Sequence, residues 1–454
     1  MNSVNEKIFR AYDIRGTYPD EINEKAAYQI GLAFAAYVRE SGAEQIVAGH
    51  DARLSSPVLA RSFIRGVVDA GINVLNIGLV TVDMVYFASG SMHLPAAMIT
   101  ASHNPKEYNG FKFMRKDVDL MGLDSGLSDI KKLIEEKLPI GQTGGQQGAV
   151  VEKSIENEYL KHVLRFAEFD YIRPMKIAID ASSGSAGRIL KKVLGKLPVE
   201  YAPLHFNPDG NFPYHEPDPK KEKNLLDLKN EMIANHYYFG CAFDGDGDRI
   251  IFVDEKGNYI SPSVIGAIMA RYFLGKTPYG KVVYTADASQ IIPETVNIYG
   301  GEAIREKVGH TNINKRLRME KGILGIETSG HYFFKDNFYA DSGIISLIVM
   351  MDILSRQKKS LSLVVSEFSK YVSISEINLK IDNPEEFIKK IAQNFEGYEI
   401  DWFDGLTVRT ADFWLNLRPS NTEPVIRLNI EAKNELILQR VKKDTLGLVK
   451  KFNQ

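Results

Sequence analysis

Two short segments hold residues that could carry chemistry. Residues 100–105 read Thr-Ala-Ser-His-Asn-Pro and place Ser102 among turn-forming residues, and residues 244–249 read Asp-Gly-Asp-Gly-Asp-Arg. A serine hydroxyl is a weak nucleophile unless a base or a cation activates it, and a phosphoserine donates its phosphoryl group only if its charge is neutralised. Because three carboxylates can hold that cation, the two segments together predict phosphoryl transfer through Ser102.

The aspartates of the second segment have a spacing of two residues. In an extended segment, alternate residues face one side, so Asp244, Asp246 and Asp248 can converge on one hard cation, for which Mg²⁺ is the first choice. A plain polar turn is one alternative. A calcium EF-hand is another, because Glu255 falls at the twelfth loop position, but Arg249 occupies the sixth position, where an EF-hand needs glycine. The flanking runs also resemble strands rather than helices, so a catalytic metal site is favoured.

Other residues near Ser102 have a structural and a chemical interpretation. His103 is by default a hydrogen-bonded structural histidine. Lys112 lies on the strand-like run 109–113, where it is either a solvated edge-strand lysine or a group that neutralises phosphate. It would transfer a proton only if its pKa were lowered.

Two further segments have compositions suited to a phosphosugar. Residues 418–427 combine two arginines, two hydroxyls and an amide between strand-like runs, which favours phosphate binding over a simple hairpin turn. Residues 325–331 read Gly-Ile-Glu-Thr-Ser-Gly-His, and strand alternation would turn Glu327, Ser329 and His331 to one side, towards sugar hydroxyls. This last motif also describes an ordinary loop.

The elements that must position these groups follow an α/β pattern. Strand-like runs at 45–49 and 73–78 enclose a helical stretch at 57–70, and the pattern restarts with a strand at 176–180 and a helix from Arg188. Further strands are expected at 281–285 and 322–326, and the glycine- and glutamine-rich run 141–148 is interpreted as a linker. No repeat of fixed period is visible. We predict four domains, at 1–150, 151–256, 257–370 and 371–454.

Composition limits the classes of partner. The chain has 454 residues, 44% of them hydrophobic, with 56 Lys and Arg against 58 Asp and Glu. The resulting net charge of -2 gives no global attraction to nucleic acid or to an anionic membrane. The single Cys241 excludes an internal disulfide, the first residues lack the apolar core of a secretion signal, and no apolar run approaches the ~20 residues of a membrane span. A cytoplasmic protein is expected.

The order of the four motifs resembles that of the α-D-phosphohexomutase family. Its members carry a phosphoserine in a Thr-Ala-Ser-His-Asn-Pro loop, a metal loop Asp-Gly-Asp-Gly-Asp-Arg, a sugar loop Glu-x-Ser-Gly-His and a phosphate loop Arg-x-Ser-Asn-Thr-Glu-Pro. The similarity extends to residues 9–16, 110–112, 215–219 and 308–311. It implies three similar α/β domains followed by a smaller α+β C-terminal domain around a central cleft.

The resemblance also implies roles for individual residues. It implies Mg²⁺ as cofactor, glucose 1,6-bisphosphate as activator, a hexose phosphate substrate, and a monomer or weak homo-oligomer. The catalytic groups would be Ser102, Arg15, Lys112, Arg249 and His310, and the metal ligands Ser102, Asp244, Asp246 and Asp248. The substrate-binding residues would be Tyr12, His103, Glu327, Ser329, His331, Arg418, Ser420, Asn421, Thr422 and Arg427.

Within the family, Glu-x-Ser-Gly-His is typical of the phosphomannomutase/phosphoglucomutase group. The resemblance therefore implies transfer of phosphate between O1 and O6 of mannose or glucose phosphates through a hexose 1,6-bisphosphate. Phosphoglucosamine mutases usually have Gln at the position of Thr328, so this threonine argues against the amino sugar. Glucosamine phosphate stays as the alternative substrate. A metal-dependent sugar phosphatase and a catalytically silent phosphosugar-binding protein remain as rival classes.

Overall fold

The computed structural model describes residues 4–136, 147–374, 376–381, 383–420 and 425–452, which form four sheets. The first sheet has the spatial order β1-β5-β4-β2-β3-β7, with β6 paired to β5. Its strands β1 to β7 are Ile14–Thr17, Gln45–His50, Asn73–Leu79, Ala96–Ile99, Tyr108–Arg115, Asp119–Leu120 and Val150–Glu152, and its helices α1 to α4 are Glu24–Glu40, Ser56–Asp69, Val82–Met92 and Leu127–Glu135.

Local sequence explains these first elements. The Asn23 side chain accepts a hydrogen bond from the Ala26 amide at 3.1 Å and so caps α1. From there, Ala27, Ile30 and Phe34 recur at helical spacing and are fully buried. The central strands β2 and β4 are buried along most of their length, as expected for parallel strands covered on both faces.

The second and third sheets are built in the same way. The second contains β8 to β11 and is accompanied by α5 to α7. These elements are Met175–Asp180, Val199–Leu204, Phe239–Phe243 and Ile250–Asp254, with Glu156–Leu164, Ala186–Leu194 and Leu226–Asn235. The third contains β12 to β16 and is accompanied by α8 to α12. These are Lys281–Thr285, Glu302–Glu306, Leu324–Ile326, Tyr332–Phe334 and Ala340–Asp341, with Pro262–Lys276, Ile291–Ile298, His310–Met319, Gly343–Gln357 and Leu361–Ser366.

The first three sheets share one four-stranded unit. In each, a central strand pairs in parallel with two neighbours, and one of these neighbours continues through a loop into an antiparallel strand. The units are β3-β2-β4-β5, β9-β8-β10-β11 and β13-β12-β14-β15. The loops that open the antiparallel hairpins begin at Thr100, Asp244 and Glu327. Three of the four predicted functional segments therefore occupy equivalent places in the three units.

The last sheet has a different construction. Strands β17 to β22 are Val372–Ser373, Ile377–Leu379, Glu399–Asp401, Leu406–Arg409, Phe413–Pro419 and Ile426–Ala432, with helices α13 and α14 at Pro384–Ala392 and Glu435–Phe452. Its strand pairs are antiparallel. The predicted fold class, three similar α/β units and a smaller α+β unit, is confirmed.

The apolar cores divide the molecule unequally. The largest core joins residues from all three α/β units, such as Met98, Ile177 and Ile348. The last sheet has its own core with α13 and α14. The first three units thus share one core, whereas the fourth has its own core and makes polar contacts with the others, among them the Val308 amide donating to Asp404 Oδ2 at 3.0 Å.

The predicted boundary at residue 150 lies at a strand of the first sheet. Val150–Glu152 pairs in parallel with β3. Most of the glycine-rich run 141–148 lies outside the described residues. The division into four sequence ranges stays a prediction. Among the helices of the described ranges, a search for one long and apolar enough to cross a membrane finds no candidate.

Candidate active site

Ser102 lies in the loop that follows β4. Its φ is +49°, a left-handed conformation that is uncommon for residues other than glycine, and its amide donates to Thr100 Oγ1 at 2.8 Å. Its hydroxyl donates to Asp244 Oδ2 at 2.7 Å, and the residue is 1% exposed. The structure thus brings the predicted nucleophile directly to the predicted metal ligands, across 142 residues of sequence.

A buried arginine that was not predicted from the sequence holds this loop. The guanidinium of Arg53 is enclosed and donates to four main-chain carbonyls and to Asp51 Oδ2. These acceptors are Ser102 O at 2.7 Å, Asn104 O at 2.6 Å, Pro105 O at 2.6 Å, Tyr108 O at 3.1 Å and the carboxylate at 3.1 Å. An arginine has five N–H donors, and all five are used here. Arg53 therefore fixes the backbone from Ser102 onwards, while Thr100, on the other side of Ser102, donates its hydroxyl to Asp51 Oδ2 at 2.8 Å.

The three aspartates converge, but not for the predicted reason. Residues 244–249 form a tight turn between β10 and β11 rather than an extended segment. Asp244 Oδ1 accepts from the amides of Gly247 at 3.0 Å and Arg249 at 3.2 Å, which closes the turn. Gly247 has a φ of +83°, the region in which glycine is favoured. The prediction of strand alternation was wrong for this segment, whereas the convergence of the carboxylates is confirmed.

The carboxylate cluster fits a cation. Asp244, Asp246 and Asp248 are buried, and Asp246 Oδ1 makes no hydrogen bond within the described part of the chain. Burial, together with the neighbouring charges of Asp248 and Asp246, raises the pKa of Asp244 well above its usual value. Three carboxylate oxygens suit a hard divalent ion. The flanking elements are strands, which excludes the EF-hand alternative.

Lys112 supplies positive charge to this cluster. Its Nζ lies 2.8 Å from Asp246 Oδ2 and 2.6 Å from Asp248 Oδ2. Burial alone would lower the pKa of Lys112, but the attraction of these two carboxylates outweighs burial and raises this pKa. In this arrangement Lys112 is a buried ammonium ion, not a solvated edge-strand lysine, and the lowered pKa that proton transfer would require is not found.

Glu327, Ser329 and His331 also meet through a turn rather than through strand alternation. The Glu327 amide donates to His331 O at 3.0 Å, which makes residues 327–331 a hairpin turn between β14 and β15. His331 Nδ1 lies 3.0 Å from Glu327 Oε2, and its Nε2 lies 3.2 Å from Asp248 Oδ1. Burial opposes protonation, but Asp248 and Glu327 together raise the pKa of His331 to about 10. His331 therefore links the sugar segment to the metal segment as an imidazolium.

This ion pairing predicts a pH-dependent stability. A histidine whose pKa is raised on folding stabilises the protein fully below its unfolded pKa of about 6.5 and loses that contribution as the pH rises towards 10. Without divalent cations, we expect His331→Gln to destabilise the protein at pH 6 by roughly 4 kcal/mol more than at pH 9.5. Urea unfolding at both pH values measures this difference, with the exposed His236→Gln as control. A loss that is equal at both pH values would contradict the ion pair.

A cleft of about 1590 Å³ opens beside these segments. Ser102 and the three aspartates lie behind the residues that line the cleft, whereas His103 and Lys112 are among the lining residues. Burial and nearby cations lower the pKa of His103 well below its usual value, and burial with Lys112 and His331 lowers that of His310 to about 4, so both rings are neutral at pH 7. The predicted residues that line the cleft are Tyr12, Arg15, His103, Lys112, Arg249, His310, Glu327, Ser329, His331, Arg418, Ser420 and Arg427.

The C-terminal arginines reach the cleft from β21 and β22. Arg418 is 2% exposed, with Nη2 at 3.3 Å from Asp287 Oδ2 and 3.8 Å from Glu376 Oε2. Arg427 Nη1 lies 3.5 Å from Glu376 Oε1. Carboxylates thus hold two guanidiniums side by side, a geometry suited to a phosphate. Two of the predicted phosphate-binding residues, Asn421 and Thr422, lie outside the described residues.

Several residues that complete the site were not predicted from the sequence. Asp51 and Arg53 follow β2, Asp287 follows β12, and Asp341 places Oδ2 at 4.0 Å from His331 Nε2. Asp51, Arg53 and Asp287 could have been predicted from their positions in the sequence. Each follows a parallel strand, and ligands of α/β sheets collect at the carboxyl ends of such strands. Asp341 lies on an antiparallel strand, and only the folded chain places it here.

A buried serine hydroxyl beside three carboxylates, next to a cleft lined by several arginines, is an arrangement suited to metal-assisted phosphoryl transfer, and comparisons agree with this class. Residues 6–137, 157–257 and 261–371 match alpha/beta/alpha domains I, II and III described as phosphoglucomutase/phosphomannomutase, and residues 376–448 match the C-terminal domain of the same description. The chain belongs to the phosphoglucomutase/phosphomannomutase family.

Individual relatives span almost the whole chain. A phosphomannomutase of Escherichia coli K12 is 35% identical, over 96% of this chain and 97% of its own. A phosphoglucomutase of Neisseria meningitidis is 37% identical, over 97% and 96%. Among solved structures, a phosphoglucomutase/phosphomannomutase family protein of Burkholderia thailandensis superposes with a TM-score of 0.89 at 30% identity, covering 99% of this chain and 98% of that one.

Proposed function

We propose that this chain interconverts the 1-phosphates and 6-phosphates of mannose and glucose. Ser102 would carry a phosphoryl group, pass it to the free hydroxyl of a hexose monophosphate, and recover the other phosphate from the resulting hexose 1,6-bisphosphate. One observation carries the proposal: the Ser102 hydroxyl lies 2.7 Å from Asp244 within a buried three-carboxylate cluster, beside a cleft that arginines enter from another domain.

The cation is proposed to be Mg²⁺, held by Asp244, Asp246, Asp248 and the phosphorylated Ser102. When bound, Mg²⁺ would neutralise the charge of the phosphoserine and polarise its phosphorus for attack. Arg249 and Lys112 lie at the same cluster and would carry further positive charge towards the transferring group. Lys112 would turn from the aspartates towards phosphate once the cation pairs them.

The remaining residues would bind and orient the sugar. Arg418, Arg427, Ser420, Asn421 and Thr422 are proposed to anchor the phosphate that does not react, and Glu327 and Ser329 to bind hydroxyls. The side-chain hydroxyl of Thr328 donates a hydrogen bond to Asp287 Oδ2 at 2.9 Å, so it already has a partner within the protein. Because Glu327 is held ionised at neutral pH by its hydrogen bond with His331, it accepts hydrogen bonds from a hydroxyl pair. Arg15, Tyr12, His103 and His310 would complete the cleft.

Two fixed sites require the bisphosphate to turn within the cleft. The anchoring arginines and the donor serine lie on different domains, at separate places along the cleft, so the intermediate would reverse end for end before it returns a phosphate to Ser102. The separate core of the last domain supports a motion of that domain that admits, holds and releases the sugar. A closed cleft would exclude water and so keep the phosphoserine from hydrolysis. Glucose 1,6-bisphosphate would act as activator by loading Ser102.

The assay uses purified protein, Mg²⁺, a trace of glucose 1,6-bisphosphate and the 1-phosphate of mannose, glucose or glucosamine. We expect 6-phosphates of mannose and glucose at comparable kcat/KM, with little product from glucosamine, and at least a tenfold loss on chelation with recovery on adding Mg²⁺. Inorganic phosphate as the main product would instead indicate a phosphatase. Absence of any turnover would indicate a binding protein, and preference for glucosamine 1-phosphate would overturn the sugar assignment.

A further inference from the structure

A second cluster of metal-ligating groups lies in the second α/β unit. Asp180 ends β8, His205 follows β9, and His215 lies ten residues further along the chain. His205 Nδ1 lies 3.0 Å from Asp180 Oδ1, and His215 Nε2 lies 2.9 Å from Asp180 Oδ2. None of the three residues lines the large cleft. The cluster is therefore distinct from the site of Ser102.

The second nitrogen of each histidine ring already has a partner. His215 Nδ1 lies 2.8 Å from the carbonyl oxygen of Glu216, which only accepts hydrogen bonds, so this nitrogen carries a proton. His205 Nε2 lies 3.4 Å from the carboxylate of Asp227, so this nitrogen also faces an acceptor. When these outer nitrogens carry the protons of the neutral rings, the inner nitrogens have lone pairs, and both lone pairs face the carboxylate of Asp180.

Three acceptors that converge in this way need positive charge between them. Either each ring binds an extra proton, or one cation replaces both protons. Two imidazoles and a carboxylate are a common ligand set for Zn²⁺, and ligating histidines characteristically donate their other ring N–H to a carbonyl or a carboxylate. The contacts with Glu216 and Asp227 are of this outer kind. The Ser182 amide also donates to Asp180 Oδ1 at 2.7 Å and so orients the carboxylate.

An ion could reach the cluster from solvent. Asp180 is fully buried, but the side chains of His205 and His215 are each 10% exposed. A separate cavity of about 230 Å³ is lined in part by His205 and by Tyr214, whose ring stacks on that histidine at 4.0 Å between centroids. Burial of the ligands with one open side is the arrangement expected for an exchangeable structural ion.

We propose that Asp180, His205 and His215 bind a transition-metal ion of the Zn²⁺ type, separate from the cation at the three aspartates. The ion would tie both ends of the loop 205–215 to β8. The middle of this loop packs closely against the first domain. A Cβ atom added to Gly210 would lie 2.4 Å from the Leu54 amide nitrogen, and the centre of the Phe212 ring lies 5.2 Å from the Arg53 guanidinium carbon. The ion would thereby stabilise the surface that supports the Ser102 loop.

Metal binding tests this proposal independently of any catalytic activity. The full-length protein is stripped with a chelator, dialysed into millimolar Mg²⁺ to saturate the aspartate site, and titrated with Zn²⁺ against a chromophoric chelator. The variants are His205→Asn, which preserves the left-handed backbone of that residue, and His215→Gln. The control is His236→Asn, since His236 is exposed and has the same left-handed φ.

We expect one tight Zn²⁺ equivalent in the wild type and in the control, weakened at least 100-fold in both cluster variants. Zn²⁺ should also raise the Tm of the wild type and the control only, and Co²⁺ should give the visible absorption of a nitrogen-ligated ion. Equal Zn²⁺ binding by all four proteins, or no tight binding by the wild type, would overturn the proposal in favour of a protonated histidine–carboxylate cluster. Mutase activity does not enter these readouts, so they do not depend on the proposed function.

Discussion

Replacement of Ser102 by alanine is expected to lower kcat/KM for glucose 1-phosphate isomerisation by at least about 100-fold, or about 2.7 kcal/mol of transition-state stabilisation. The Thr100 hydroxyl also reaches the carboxylate cluster, at 3.1 Å from Asp246 Oδ2, but the proposed reaction runs through Ser102, and nothing else in residue 102 could carry the phosphoryl group. The left-handed backbone is held by Thr100 and by Arg53, so the loop itself should persist.

Kinetics and mass spectrometry together check this prediction. After incubation with glucose 1,6-bisphosphate, the wild type should gain the mass of one phosphoryl group at Ser102, and the variant should gain none. Ser91→Ala is the matched control, because Ser91 is an exposed serine on α3 whose hydroxyl donates to the Phe87 carbonyl of the same helix. Activity of Ser102→Ala within tenfold of the wild type would refute the phosphoserine mechanism.

The second large effect is expected from Arg53→Lys. Lysine retains the positive charge beside Asp51 but has three donors instead of five and no planar fork, so at least two buried carbonyls would lose their partner. Each such loss costs about 1–3 kcal/mol, so we expect the free energy of unfolding to fall by about 2–5 kcal/mol. Loss of these hydrogen bonds should also let the Ser102 loop shift. We expect kcat to fall by at least about 30-fold, since a displacement of reacting groups by about 1 Å can lower the rate about 100-fold.

The comparison of kcat with KM identifies a positioning role for Arg53. Arg53 contacts the loop and not the cleft, so KM for the sugar phosphate should change less than threefold while kcat falls. Arg61→Lys is the control, because Arg61 is an exposed arginine on the neighbouring helix α2. A variant that loses stability but keeps its kcat would show that Arg53 is structural only.

Some elements of the fold followed directly from local sequence. The alternation of apolar runs with helical stretches predicted β2, β3, β8 and β12 within one or two residues, and helix α2 within one residue. The apolar periodicity of these elements is a local property of the sequence, which is why it was enough to place them. By contrast, the predicted strand alternation at the aspartates and at Glu327 was wrong, because backbone amides fold both segments into turns.

The sequence by itself determined the chemistry available to this protein. It provided one serine in a turn, three clustered aspartates, a lysine on a strand and an arginine-rich hairpin, in an order that identifies the family. These are local facts, since residue type and short spacing are enough to state them. No repeat was visible in the sequence, even though the three units share one strand order.

Only the tertiary structure decided which of these groups act together. The shared strand order places the loops after β4, β10 and β14 at equivalent hairpins, and a shared apolar core packs the units against one another. This packing brings Ser102 to Asp244, His331 to Asp248 and Phe212 to Arg53. Such distances depend on how whole sheets are buried, whereas sequence spacing constrains only neighbours along one strand or turn.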